Sequence, residues 1–219
     1  MTPRTRFKVC CMASREEADL AIAAGATAIG LVAAMPSGPG PIPDALIREI
    51  AEHTAGRVRR FLLTPKVLAA EIATQVRAAG VDTVQLVDAV AQEELARLRD
   101  ALPDTQLVQV IHVRDASDVE AAVEVAEFVD EILLDSGNPS ARIKELGGTG
   151  RTHDWTLSRR IVEASPVPVW LAGGLRPENA ADAVRSVRPY GLDICSGLRP
   201  AGALDPDRLR AFAEALAAA

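Results

Sequence analysis

Residues 7–33, FKVCCMASREEADLAIAAGATAIGLVA, contain one complete strand–helix–strand unit, and the rest of the chain repeats its plan. The short apolar run 7–12 reads as a strand. Ser14 and Glu17 follow as a Ser-x-x-Glu box, in which the two side chains satisfy free N–H groups at the start of a helix. That helix covers 15–24 and stops at Gly25, since glycine accepts the left-handed turn that ends many helices. Residues 28–33 form the second strand, apolar on both faces, as strands of a parallel sheet are when both sides are covered.

Working outward, the same reading predicts strands at 58–63, 83–87, 107–113, 128–134, 168–171 and 191–195. Helices are expected at 44–53, 92–101, 117–126, 154–164, 177–187 and 205–217. One further helix is expected to take Thr64 as its cap and Pro65 as its first residue, ending at Gly80. A Pro/Gly-rich loop at 35–43 and a long loop at 135–152 interrupt the rhythm. Strands that alternate with helices of this length pair in parallel. Eight such units in 219 residues make an α/β, single-domain (β/α)8 TIM barrel spanning 1–219. The competitor is a doubly wound open sheet. Its dinucleotide fingerprint is missing, because Cys10-Cys11-Met12-Ala13 stands where GxGxxG would fall.

Composition narrows the function. Twenty-four Lys and Arg against 30 Asp and Glu leave a formal charge of −6, so nucleic acid is not the expected partner. Aromatic residues make up only 3%, too few for the stacking platforms of single-strand binders. No apolar run reaches the length of a membrane span, and the first seven residues do not resemble a signal peptide. Cys10, Cys11 and Cys195 have no metal-type spacing, and an odd number of thiols fits a reducing compartment. The expectation is a cytoplasmic protein, monomer or homodimer, with neither membrane nor nucleic-acid partner.

A barrel keeps its active groups at the carboxyl ends of its strands. That filter retains glycine runs after the last three strands: Gly147-Gly148-Thr149-Gly150, Gly173-Gly174 and Ser196-Gly197. Bare backbone N–H groups in such loops cradle an anion, and barrels frequently hold phosphate there; the alternative is that the glycines only make tight turns. Asp135 ends an apolar strand, where burial can raise a carboxyl pKa enough for proton donation, or it caps the turn after it. Cys10 is either a base or nucleophile at the same mouth or a small buried hydrophobe. Strand alternation sends Cys10 and Cys11 to opposite faces, and spacing does not say which one enters the site. His112 is either a ligand contact or a core histidine. His53 and His153 read as surface or capping residues, and Arg59-Arg60 and Arg159-Arg160 as solvated charge pairs.

On these residues the chain resembles the phosphoribosylanthranilate isomerase family of tryptophan biosynthesis, along nearly its whole length. Lys8-Val9-Cys10 is similar to the family's Lys-Ile-Cys-Gly, and Leu133-Leu134-Asp135-Ser136 to its Leu-Leu-Asp-Ser. The run Gly147 to Trp155 resembles Gly-Gly-Thr-Gly-Lys-Thr-Phe-Asp-Trp. Leu171-Ala172-Gly173-Gly174-Leu175 and Gly191-Leu192-Asp193 with Ser196-Gly197 resemble the last two strand motifs. The resemblance implies a cofactor-free Amadori rearrangement of a phosphoribosyl amine to an aminodeoxyribulose phosphate. Cys10 would be the general base and Asp135 the general acid. Gly148, Thr149, Gly150, Gly173, Gly174, Ser196 and Gly197 would hold the substrate phosphate, with Lys8, Gln85, His112 and Asp193 close by and no metal involved.

Three departures fall on the aglycone side. The loop after strand two, Met35-Pro36-Ser37-Gly38-Pro39-Gly40, has Pro39 where the family has an arginine for the anthranilate carboxylate. Strand four ends Gln85-Leu86-Val87-Asp88 in place of Gln-Leu-His-Gly, and Cys11 replaces a glycine. If Arg114 or Arg151 reaches that side, anthranilate remains the expected aglycone. Otherwise the pattern implies another phosphoribosyl amine or aldose phosphate as substrate, or a sugar-phosphate-binding barrel without catalysis.

Overall fold

Strands that are apolar on both faces need cover on both faces, and a closed barrel supplies it with helices outside and side chains within. In the computed structural model, which describes residues 5–36, 38, 40–137 and 153–219, eight parallel strands close in sequence order. They are β1 (Arg6–Val9), β2 (Ala28–Val32), β3 (Arg59–Thr64), β4 (Thr83–Leu86), β5 (Gln106–His112), β6 (Glu131–Asp135), β7 (Val169–Leu171) and β8 (Gly191–Ile194). The helices are α1 (Arg15–Ala23), α2 (Asp44–His53), α3 (Ala69–Ala79), α4 (Gln92–Ala101), α5 (Ser117–Val125), α6 (Trp155–Ala164), α7 (Ala180–Val187) and α8 (Pro206–Ala217). The β1–β8 pairing, Lys8 with Asp193 and Val9 with Ile194, closes the ring.

Two separate apolar clusters follow from strand alternation. The larger lies between strands and helices, and the smaller fills the barrel around Cys10, Val32, Phe61, Leu63, Val110, Leu133 and Trp170. Near the amino-terminal end of the strands, Arg59 pairs with Glu131 at 2.8 Å, and Trp170 Nε1 donates to the same carboxylate at 2.7 Å. Arg59 is therefore no solvated charge: it reaches an acid inside the barrel.

The cap at α1 forms as read. Ser14 Oγ accepts the Glu17 N–H at 3.2 Å, and Glu17 in turn accepts the Ala13 N–H at 3.0 Å. Glu17 also pairs with Arg199 at 2.7 Å, tying the first turn of α1 to the loop after β8. Asp154 and Asp205 cap α6 and α8, and Gly80 ends α3 at φ +68°. Two expectations fail. Thr64 stays in β3 and α3 begins only at Ala69, so Pro65 opens no helix. β1 ends at Val9, because Cys11 takes φ +63° and the extended strand cannot continue through it.

Candidate active site

Alternation along β1 sends Lys8 and Cys10 into the barrel. Lys8 is fully buried, and its Nζ lies 2.6 Å from Asp193 Oδ2 across the closing seam. Burial alone would lower the pKa of this ammonium, but the carboxylate beside it lifts it above its ordinary value, so the charge persists. Cys10, two residues on, packs its Sγ against Gly30: a Cβ at Gly30 would lie 2.7 Å from that sulfur. Its thiol pKa is lowered, first by a hydrogen bond with the Cys11 side chain, which outweighs burial, and then by the Lys8 charge.

Asp135 ends β6, three strands round the barrel from β1 through β7 and β8. Its Oδ1 accepts the Ser136 N–H at 2.7 Å. Burial raises its pKa, against the opposing effects of that N–H and of His112. His112 sits beside Asp135 in the β5–β6 register; its Nε2 lies 3.1 Å from the Val87 carbonyl, and its Nδ1 is buried without a partner. Gln85 Oε1 and Asp193 Oδ1 are likewise buried and unpaired. Polar atoms in a barrel interior that lack protein partners are the groups a substrate can satisfy.

The glycine loops divide. Gly173 and Gly174 have φ of +84° and +63°, a backbone region that glycine enters freely and other residues rarely do. A Cβ on Gly173 would lie 3.1 Å from Ser136 Oγ and 3.2 Å from Asp135 Oδ1, so a bare backbone brings this loop against the acid. Ser196 and Gly197 open the 3-10 turn Ser196–Leu198. A Cβ on Gly197 would collide with the Leu175 carbonyl oxygen, and the loops after β7 and β8 touch only because it is absent. Gly148, Thr149, Gly150, Arg151 and Pro39 lie outside the described residues. Arg114, the other arginine considered for the aglycone, is held by Asp118 at 2.8 Å.

Two residues escaped the sequence reading. His153 is half-buried, with Nδ1 at 3.1 Å from that same Gly173 position and Nε2 at 2.6 Å from Ser158 Oγ. Its Nδ1 is buried without a hydrogen-bond partner. Burial lowers the His153 pKa to about 4, which keeps the ring neutral. Cys11 is the second. Its positive φ brings it back into the interior cluster beside Cys10 and not to the opposite face. Among the described residues no group of three or more His, Cys, Asp and Glu is arranged to hold a metal ion, and no helix is long and apolar enough to cross a membrane.

A barrel with a cysteine just after β1 and an acid on β6 has close counterparts. The family model for N-(5'-phosphoribosyl)anthranilate (PRA) isomerase matches residues 8–215. An N-(5'-phosphoribosyl)anthranilate isomerase of Haloferax volcanii is 39% identical over 215 residues, covering 96% of this chain and 92% of that protein. Its counterpart in Methanocella arvoryzae is 32% identical, covering 89% of each. The solved structure of phosphoribosyl anthranilate isomerase from Thermus thermophilus superposes with a TM-score of 0.82 at 26% identity, over 97% of this chain and 98% of that one. Another solved isomerase, in complex with reduced 1-(o-carboxyphenylamino)-1-deoxyribulose 5-phosphate, shares the fold at a TM-score of 0.78 and 24% identity, over 98% of this chain and 100% of that one. The chain belongs to the N-(5'-phosphoribosyl)anthranilate isomerase family.

Proposed function

We propose that this protein converts N-(5'-phosphoribosyl)anthranilate to 1-(2-carboxyphenylamino)-1-deoxyribulose 5-phosphate, a step of tryptophan biosynthesis, with Asp135 as acid and Cys10 as base. The observation that carries this reading is the opposite displacement of the two groups, at the carboxyl ends of β1 and β6. The carboxyl is pushed up by burial and the thiol is pulled down by a hydrogen bond and a buried ammonium. Groups moved toward each other in this way can share acid and base work near neutral pH.

Asp135 protonates the ribose ring oxygen; the C1–O bond breaks and its electrons leave with that oxygen, giving an iminium at C1. The Cys10 thiolate removes the C2 proton, and the C2–H electrons form the enolamine. Tautomerisation to the C2 ketone completes the isomerisation, with no net redox change and so no cofactor required. Lys8 holds the thiolate by charge. The Gly173 and Gly174 backbone, with Ser196 and Gly197 and the sequence-expected Gly148, Thr149 and Gly150, anchors the phosphate so that the sugar lies between acid and base. Gln85, His112 and Asp193 line the sugar side with unpaired polar atoms. In assembly the reading is a monomer or homodimer in the cytoplasm, where three unbridged thiols persist.

The test follows loss of phosphoribosylanthranilate fluorescence with a coupled product assay. Wild-type protein should turn over, and both Cys10→Ser and Asp135→Asn should lose at least about a hundredfold in kcat, with affinity for the reduced product analogue changed only a few-fold. A folded wild-type protein that binds the analogue without turning over the substrate would reject the reading.

A further inference from the structure

A third thiol completes a group at the barrel mouth that the acid–base pair does not use. The β1–β8 seam carries Cys10 N–H to the Ile194 carbonyl at 2.8 Å, which places Cys195 beside the residues just after β1. Cys11 turns back through φ +63°, a backbone state that suits glycine and that a side chain occupies only when its surroundings hold it there. Gly40 makes the room: a Cβ there would lie 2.5 Å from Cys11 Cβ and 2.8 Å from its Sγ. The outcome is a contact of 2.7 Å from Cys195 Sγ to Cys11 Sγ. Cys195 is half-exposed, so small solutes reach the pair. The Arg199 guanidinium, held on Glu17, also lies within electrostatic reach of both sulfurs.

We propose that Cys11 and Cys195 form a thiol-modification site that hydrogen peroxide converts to a disulfide, and that the bridge switches down proton abstraction by Cys10. The two sulfurs are already in contact, so the partners of the bond are placed together before it closes. The Cys195 thiolate attacks one peroxide oxygen. The O–O bond breaks, one water leaves, and Cys195 becomes a sulfenic acid. The Cys11 sulfur then attacks the Cys195 sulfur, the S–O bond breaks, and hydroxide departs as a second water with the Cys11 proton. Two thiols are oxidised by two electrons, and one peroxide is reduced to two waters. The bridge leaves Cys11 without the S–H that hydrogen-bonds Cys10, so the Cys10 thiolate loses its nearest stabilising donor. The Cys10 value then rises and its thiolate fraction falls.

The effect on turnover rests on Cys10 being the base; the chemistry of the pair does not. The experiment treats reduced protein with hydrogen peroxide and reads intact mass, the cross-linked peptide and turnover. In wild type, mass should fall by two hydrogens and turnover by about tenfold, both restored by dithiothreitol. C10S should still form the bridge, since its remaining thiols are Cys11 and Cys195, whereas C195S and C11S should form none. C195S turnover should resist the same exposure. Absence of a bridge in C10S, or equal inactivation of C195S, overturns the site. A bridge in wild type that leaves turnover intact overturns its coupling to Cys10. Activity retained by C10S itself would reject Cys10 as base and leave the mass result standing.

Discussion

At Lys8 an ammonium group has no exposure to water, and one carboxylate replaces its hydration. The Lys8 Nζ also lies 5.1 Å from the centre of the Phe61 ring, which adds a second favourable contact for a desolvated cation. Lys8→Met keeps the stem and removes the charge, leaving Asp193 buried and unpaired. Such a loss costs about 3–5 kcal/mol, while removing both members of a buried pair costs far less. Urea unfolding should therefore show K8M well below the double variant K8M/D193L; equal stabilities would mean that the pair carries no uncompensated charge. The same substitution has a kinetic signature. On the proposed roles kcat/KM would rise with pH as Cys10 ionises and fall as Asp135 loses its proton; the Lys8 charge lowers both pKa values, so removing it should move both limbs to higher pH. Cys10 and Asp135 were legible in the sequence because they stand at the carboxyl ends of β1 and β6, whereas Lys8 was named only through the family resemblance. The Lys8–Asp193 contact was not legible, since its partners stand 185 positions apart and meet only when β1 closes on β8.

Elements are bounded by whichever group satisfies their free ends, and that group is sometimes local. Ser14 and Asp205 lie next to the helices they cap, so α1 and α8 begin where the sequence places them. For α3 the satisfying group is distant: the Ala69 N–H donates to Glu94 Oε2 at 2.7 Å, and Glu94 belongs to α4. The local Thr64-Pro65 pair could not reveal this, and Thr64 Oγ1 instead donates to Gln75 at 2.7 Å. Strand β8 shows the same dependence on a neighbour. A Cβ on Gly191 would lie 2.5 Å from Trp170 Cζ3, and Trp170 is pinned by its bond to Glu131. Gly191→Ala should thus lower stability by about 1–3 kcal/mol through overpacking. Gly56→Ala, where φ is +73° and no atom lies within 4 Å of the new Cβ, should cost only the conformational part, about 1 kcal/mol. Thermal or urea unfolding of the two variants side by side checks the difference, and equal losses would show that Trp170 yields to the added methyl.

Closure of the whole barrel converts separate strand ends into one partly desolvated mouth, and the histidine that sequence reading assigned to the surface is the residue that reports it. His153, Asp135 and Ser136 all crowd the Gly173 position, although the histidine's neighbours in sequence carry no sign of it. Its folded pKa, about 4, lies below the ordinary value of 6.5. Above 6.5 both folded and unfolded chains hold the ring neutral, and its titration contributes nothing to the balance. As pH falls from 6.5 toward 4, the unfolded chain takes up the proton and the folded chain does not, so stability is lost through that window and the loss levels off below it. The whole loss is of order 2 kcal/mol, after allowance for the partial exposure of the ring. His153→Gln keeps a polar side chain and removes the titration. The stability of wild type minus that of H153Q, from urea unfolding at a series of pH values, should therefore be flat above 7 and fall steadily between about 6.5 and 4. Carboxylates that titrate in the same range cancel in the difference unless they couple to His153, and the one whose charge does, Asp154, is covered by repeating the series in the D154N background. A difference that stays flat throughout would mean that the ring titrates as it does in water, and that the mouth of the barrel does not exclude solvent at this position.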